Sequence, residues 1–449
     1  MDAADVVQKA DDAGLRFVRF LWCGNDGTVR AKSSSRHGLE GRLRAGIGLT
    51  VAMQAMNSLD QLQPVEGLGP VGEVRLVPDL ETFRVLPYAP ATGAVLVDHV
   101  ALDGEPAAVC QRSFLKRQAA RLAARGMVLE AAFENEFTLA VPADGDYRPV
   151  DESLCFSTIG MAASQDYVEG LADALERQEI VLEQYYAELG HGQQEISTGH
   201  APALRAADEQ ILVRETIRGV AAQLGYVASL APKPWPEAAG NGGHIHFSLW
   251  SEDGSRNLFH DPSRPDRLSD SARQFIAGVL AHLSGLGGLT APSFNSYHRI
   301  VPQYWAGAFT VWGHDNREAP VRVPSVFAGM EEASTNAELK SADATCNPYL
   351  ALGGLIAAGL DGLERGLEPP EPVEVDPVTI PGSEREARGI HRLPQTQEEA
   401  LAALESDDVL TTALGPVLAE SCLAVRRSEW EAYSARDAEF ERRGHFLKY

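Results

Sequence analysis

Apolar positions along this chain recur with two spacings, one of about 3.6 residues and one of 2, and the switches between them mark out the elements. A helix over Asp2–Ala13 closes at Gly14. The strand Arg16–Trp22 then turns at Asn25-Asp26-Gly27, a hairpin signal, into Thr28–Lys32. A short helix through Leu39–Leu43 stops at Gly46, and strand-like runs follow at Val74–Val77, Thr82–Leu86 and Ala94–His99. Asp103-Gly104-Glu105-Pro106 reads as a turn and a domain boundary, so residues 1–105 form a small strand-rich α/β domain and residues 106–449 a larger one.

In the larger domain Phe114, Leu115, Ala119 and Leu122 fall on one face of a helix over Gln111–Ala124, stopped by Gly126. Met127–Ala140 has the apolar residues and length of a buried strand. Further helices are expected at Ser164–Arg177, Ala206–Leu224, Ser269–Ser284 and Pro348–Arg365, the last capped by Asn347 with Pro348 in its first turn. Strands are expected at Val181–Glu188, Gly243–Leu249, Ala308–Trp312, Ala319–Val323 and Asn336–Ser341. Leu367–Leu393, rich in proline and acid, reads as a loop or flap. Helices return from Gln397, with Ser428–Arg443 as a polar surface helix. The class is α+β.

Several of these strands carry ionisable pairs at spacing two: Glu134/Glu136, His244/His246 and Glu338/Lys340. Alternation puts each pair on one face of its strand. Buried acids are almost never left unpaired, so a cation belongs between Glu134 and Glu136, from Arg, Lys or a metal. Faces of this kind line a polar cavity rather than a core. Glu188 and Glu195 flank a turn-like connection able to bring both acids to one point. Five carboxylates with His244 make a hard, oxygen-rich set that suits magnesium or manganese better than zinc, and one divalent ion cannot balance five acids. Arg299, Arg317 and Arg322 supply the opposite charge, either to neutralise those acids or to grip phosphate or carboxylate.

Composition narrows the class further. The chain has 449 residues, 44% of them hydrophobic, and shows no apolar run of membrane-spanning length and no signal region. The five scattered cysteines form no C-x-x-C pair, which points to reduced thiols in a cytoplasm. A net charge of −24 disfavours nucleic acid and anionic membranes as partners.

The motifs Glu134-Asn-Glu136-Phe, Glu188…Gly192-Gln-Gln-Glu195, Gly240…His244-Ile-His246, Asn295-Ser-Tyr-His-Arg299, Asn316-Arg317…Arg322 and Glu338-Leu-Lys340…Cys346-Asn-Pro-Tyr-Leu350 together resemble the glutamine synthetase superfamily. The resemblance implies an N-terminal β-grasp domain and a catalytic domain with a curved antiparallel sheet surrounded by helices. It also implies an ATP-dependent carboxylate–amine ligase that works as a homo-oligomer of hexameric rings stacked as a dodecamer. ATP would phosphorylate the γ-carboxylate of glutamate before nitrogen attacks. By the same resemblance Glu136, Glu188 and Glu195 hold one metal, and Glu134, Glu195, His244 and Glu338 a second, with two or three Mg2+ or Mn2+ ions per site. Glu183, His246 and Ser248 contact the nucleotide, Arg317 and Arg322 stabilise phosphate, and Gly240 and Arg299 hold glutamate.

Four departures from the family pattern bear on the substrate. Gln303-Tyr-Trp305-Ala-Gly307 replaces Gly-Tyr-Glu-Ala-Pro, whose glutamate helps take a proton from ammonium. Gly48–Met56 stands where an ammonium-binding aspartate is usual, without an acid. Ala239 replaces an asparagine, and Lys340 replaces an arginine of the acid-substrate pocket. The first two remove negative charge and add apolar surface where the nitrogen arrives. They point to a less polar amine than ammonia, with Trp305, Met53 and Met56 available to pack against it. The rival readings are an ammonia-using glutamine synthetase and a catalytically silent ring-former; a phosphoguanidino kinase fits poorly.

Overall fold

The computed structural model describes residues 1–449 and contains two sheets, each backed by its own core. In the first sheet, Phe17–Cys23 pairs antiparallel with Val29–Ser35 across the Asn25-Asp26-Gly27 turn and parallel with Thr92–Val100. Glu73–Pro78 lies on the other side of Thr92–Val100, and Ile47–Thr50 closes that edge. The helix Ala3–Asp12 covers the sheet with Val6 and Ala10, and its Asp2 cap accepts the backbone N–H groups of Ala4 and Asp5.

The second sheet is built around one long strand, Met127–Ala143. On one side lies Gly243–Ser251, followed by the short strands Ala337–Leu339, Val321–Val323 and Trp312–His314. On the other side lie Gln193–Thr198 and Leu182–Ala187. Except for the parallel outermost pair, Trp312–His314 with Val321–Val323, the ladder is antiparallel. Phe133, Phe137, Ile245, Ile196, Val321 and Leu339 face one way into the main core. The helices Gln111–Ala123, Ala203–Gln223, Asp270–Ala281 and Pro348–Arg365 cover that face. The other face is left to the polar residues.

A buried cation ties the first sheet to the helices that cover the second. Arg112 lies 2.7 Å from Asp79, 3.1 Å from Asp98 and 2.8 Å from Asp208, and Tyr349 donates to the same Asp208 at 2.6 Å. The hairpin tip adds a second tie: Arg214 donates to the Gly27 carbonyl at 2.7 Å, and Asn347 donates to those of Cys23 and Gly24.

Several expected elements differ. Ala308–Trp312 is not a strand, because Ala308 and Thr310 spend their backbone groups on Leu393 and His391, and pairing starts only at Trp312. The helix expected over Ser269–Ser284 breaks at His282, whose imidazole is taken by Asp361 and Asp407. Thr82–Leu86 contributes only the two-residue strand Arg84–Val85, after a 3-10 turn. The segment Leu367–Leu393 is mostly loop but contains the short helix Gly382–Ala387. Ser428–Arg443 is not one surface helix: Pro416–Ser434 and Ala438–Phe446 are separate, and Glu429 and Glu441 are buried, with Arg426 and Asn295 as partners.

Candidate active site

The polar face of the second sheet is organised by register. Cross-strand neighbours sit about 5 Å apart at Cβ, so residues paired on one rung form a compact row. One rung holds Arg322, Glu338 and His246; the next pairs His244 with Glu134; a third pairs Glu136 with Glu195. Residues distant in sequence thus meet because three strands carry ionisable groups at spacing two and the ladder keeps them in phase.

The side chains converge. His244 Nδ1 lies 3.2 Å from Glu134 and 3.3 Å from Glu338, and its Nε2 lies 3.6 Å from Glu136. His246 Nε2 lies 3.1 Å from Glu134, while Asn336 fixes the other ring nitrogen at 2.9 Å. Ligand atoms of Glu134, His246 and Glu338 all fall within 4.8 Å of one another. Gly242 permits this crowding: a Cβ there would stand 2.5 Å from His244 Nε2, and its N–H donates to Glu136 at 2.7 Å.

Charge in this cluster is unevenly borne. Burial pushes the Glu195 carboxyl up to about 9, reinforced by Glu136 and Glu134, and Tyr186 donates a hydrogen bond to it. Burial also raises Glu188, with Glu136 adding to the effect. Desolvation works against ionisation of Glu134 too, but hydrogen bonds from His244 and His246 outweigh it and hold that carboxyl well below the usual range. His246 is the counterpart: burial opposes its charge, yet Glu134 carries it up to about 9. Seven oxygen- and nitrogen-bearing side chains, crowded until burial and like charge raise two of the acids, fit divalent cations with a preference for oxygen ligands.

Not every expected residue joins the cluster in the same way. Glu134, Glu136, Glu195, His244 and Glu338 meet directly, and Glu188 lies at their edge with Cys155 Sγ 4.0 Å away. His246, expected against the nucleotide, stands among the candidate metal ligands. Ser248 continues the same strand face and accepts from Trp250 Nε1 at 2.9 Å, whereas Glu183 lies apart, beside Gly199 and His200. Arg322 reaches Glu338 at 2.8 Å; Arg317 is exposed and faces Glu188 electrostatically.

Gly240 and Arg299 form a second unit. A Cβ on Gly240 would meet the Arg299 stem and the Pro232 carbonyl at 2.7 Å each, and Arg299 itself donates to the carbonyls of Lys340 and Ala342. Lys340 turns back to Glu338 at 3.2 Å. Trp305 is 60% exposed, on a loop where Gln303 and Trp305 both adopt the left-handed backbone, with φ of 67° and 56°. Such residues cost of order 1–2 kcal/mol each, and buried Glu318 offsets the strain by accepting both N–H groups, at 3.2 and 2.9 Å. Met53 packs on the first-sheet core, and the Gln54 carbonyl next to it is held by Asn25 and Ser421.

Sequence reasoning missed several supports. Gln193 Nε2 joins Glu136, the Gly240 carbonyl and Asn241 at 3.2, 2.8 and 3.0 Å, linking the two units. The Gln193-Gln194 pair next to Glu195 was the available signal. Asn336, Tyr186 and Glu318 carried none, since each acts through a partner that only the fold supplies.

Known proteins match both parts of the chain. The family model of the glutamine synthetase catalytic domain matches residues 108–445, and that of the glutamine synthetase N-terminal domain matches residues 1–107. Gamma-glutamylpolyamine synthetase GlnA3 of Streptomyces coelicolor is 37% identical over 420 residues, 93% of this chain and 90% of that protein. Glutamine synthetase of Mycolicibacterium smegmatis is 33% identical over 446 residues, 97% of each chain. Among solved structures, a glutamine synthase homolog has a TM-score of 0.87 at 32% identity, covering 97% of this chain and 99% of its own. A GmaS/ADP complex follows at 0.85 and 28%, covering 98% of each chain.

Proposed function

The chain belongs to the glutamine synthetase family and is an ATP-dependent ligase, and from that premise we propose that it joins the γ-carboxylate of glutamate to an alkyl or aromatic amine other than ammonia. The carboxylate attacks the γ-phosphorus of ATP, ADP leaves, and the amine displaces phosphate from the γ-glutamyl phosphate. The observation that carries the choice of amine is Trp305: an exposed indole stands on the loop anchored beside Arg317. Ammonium is a small cation and needs acids around it, whereas an indole offers apolar surface to a larger amine. The name of the GlnA3 relative, a gamma-glutamylpolyamine synthetase, supports the same direction. An alkyl amine with a pKa near that of lysine, about 10.4, must lose a proton before attack; an aromatic amine need not.

Glu134, Glu338 and His244 with His246, and Glu136, Glu188 and Glu195, are the residues that would hold magnesium or manganese. When bound, the ions supply neutralisation of the charge that develops on the transferring phosphoryl group. Arg317 and Arg322 face the same charge, and Gly240, Arg299 and Lys340 belong to the acid-substrate side. Glu183 and Ser248 are assigned to the nucleotide. Rings of subunits, a cytoplasmic location and a domain boundary at Glu105/Pro106 complete the reading; no single helix is long and apolar enough to cross a membrane.

A second reading, glutamine synthetase proper, is favoured by the 33% identity to the Mycolicibacterium smegmatis enzyme. ADP release with glutamate plus ammonia, methylamine, ethanolamine, polyamines or aniline separates the two. Turnover with an organic amine exceeding that with ammonia supports the proposal. Turnover with ammonia alone sinks it.

A further inference from the structure

The loop spanning residues 230–241 has no regular structure, yet it carries Gly240 and one wall of the Arg299 pocket. Something must hold it, because an irregular segment with so few ladder hydrogen bonds is otherwise the first to open. Gln193 grips it from the front, through the Gly240 carbonyl. The grip from behind comes from the last helix, Ala438–Phe446, and the residues after it.

Three contacts make that grip. Asn295 Oδ1 accepts the Lys233 N–H at 2.6 Å and Asn295 Nδ2 donates to the Lys233 carbonyl at 3.2 Å, so one amide brackets a single loop residue. Glu441 then accepts the other Nδ2 hydrogen at 2.6 Å. A carboxylate only accepts, so Glu441 fixes which way the Asn295 amide points and therefore whether the bracket can form. Next, Phe446 packs edge-on against Trp235 of the loop with ring centroids 5.2 Å apart, its other side stacked on Tyr147 at 4.9 Å. Finally the Tyr449 carbonyl accepts the Leu230 N–H at 2.9 Å. Glu441, Asn295 and Phe446 are all buried. Asn295 also immediately precedes the short helix Ser296–Arg299, so the residue that brackets the loop is joined through the backbone to the element that carries Arg299.

We propose that Ala438–Phe446 is a clamp on the acid-substrate pocket, with Glu441 as the positioning residue that sets the loop through Asn295. This rests on the assignment of Gly240 and Arg299 to glutamate. Loss of the clamp loosens the ground-state and transition-state grip on the acid equally, which raises KM and spares kcat.

The test uses the full chain with Glu441→Ala and Glu441→Gln. Glu441→Ala is expected to raise the KM for glutamate about tenfold, with kcat and the KM for ATP within about twofold. Amide hydrogen exchange should quicken across 230–241 while Met127–Ala143 stays protected, and Glu441→Gln, which keeps one acceptor oxygen, should fall between. Phe446→Ala should quicken exchange in the same loop. Unchanged exchange across 230–241 overturns the clamp, as does a fall of kcat and Tm accompanied by a parallel rise of both KM values. Should the unaltered protein not use glutamate at all, the assignment of glutamate as the acid fails, and the exchange measurement still decides the clamp.

Discussion

Lys340 Nζ stands 3.2 Å from Glu338 Oε1, with both side chains sealed from solvent, while Arg322 holds the other carboxylate oxygen at 2.8 Å. Desolvation opposes the charge on Glu338, but Lys340 and then His244 outweigh it and bring the carboxyl down to about 2. Removing Lys340 leaves the buried Glu338 carboxylate short of a cation, with only Arg322 and His244 to balance it. Lys340→Met should therefore cost about 3 kcal/mol in urea unfolding with chelator present. Adding Glu338→Leu should cost less than the sum of the two single changes, because both remove the same Lys340–Glu338 contact.

The acid–imidazole cluster predicts metal-linked stability. Mg2+ or Mn2+ at a hundred times its Kd should stabilise the protein by about 2.7 kcal/mol, read as a rise in Tm. Glu134→Gln combined with Glu338→Gln should abolish that rise. A Tm rise that survives the double substitution would place the ion elsewhere.

The sheet that builds this cluster was legible for a specific reason. Glu134/Glu136, His244/His246 and Glu338/Lys340 each announce a two-residue period inside apolar runs, and period two has one structural meaning. The partners of those strands were not legible. Glu318 and Glu441 act on backbone and side chains 13 and 146 residues away, and nothing local distinguishes them from solvated acids. The same blindness turned Ser428–Arg443 into a surface helix, because Glu429 and Glu441 look like surface charge until Ser58 and Asn295 are brought to them. The break at His282 was hidden likewise, its two aspartates lying 79 and 125 residues on.

Two histidines predict the acid limb of stability. Burial pushes both His99 and His445 down to about 4, with His99 sealed behind Trp22 and no partner on either ring nitrogen. The unfolded chain takes up these protons near pH 6.5 and the folded one only near pH 4. Stability therefore falls as pH drops through that window and levels off below it, by up to about 3 kcal/mol per histidine. His99→Leu should flatten the slope between pH 6.5 and 4; an unchanged slope would assign the effect to other groups.

Trp305 predicts specificity. Trp305→Glu returns a carboxylate to the 303–307 loop and should move the ratio of kcat/KM for the organic amine over ammonia toward ammonia by about tenfold, some 1.4 kcal/mol of discrimination. Glu318→Ala, which frees the two left-handed residues, should lower kcat/KM for every amine and leave that ratio unchanged. Steady-state ADP release with paired amines reads both.

Internal competition tests the central claim most directly. Glutamate, ATP and Mg2+ are supplied with equimolar ammonia and a candidate amine, and the amide products are weighed by mass spectrometry at low conversion, which reports the ratio of kcat/KM values. The γ-glutamyl amide of at least one alkyl or aromatic amine should exceed glutamine by tenfold or more. Glutamine as the dominant product against every amine would contradict the account.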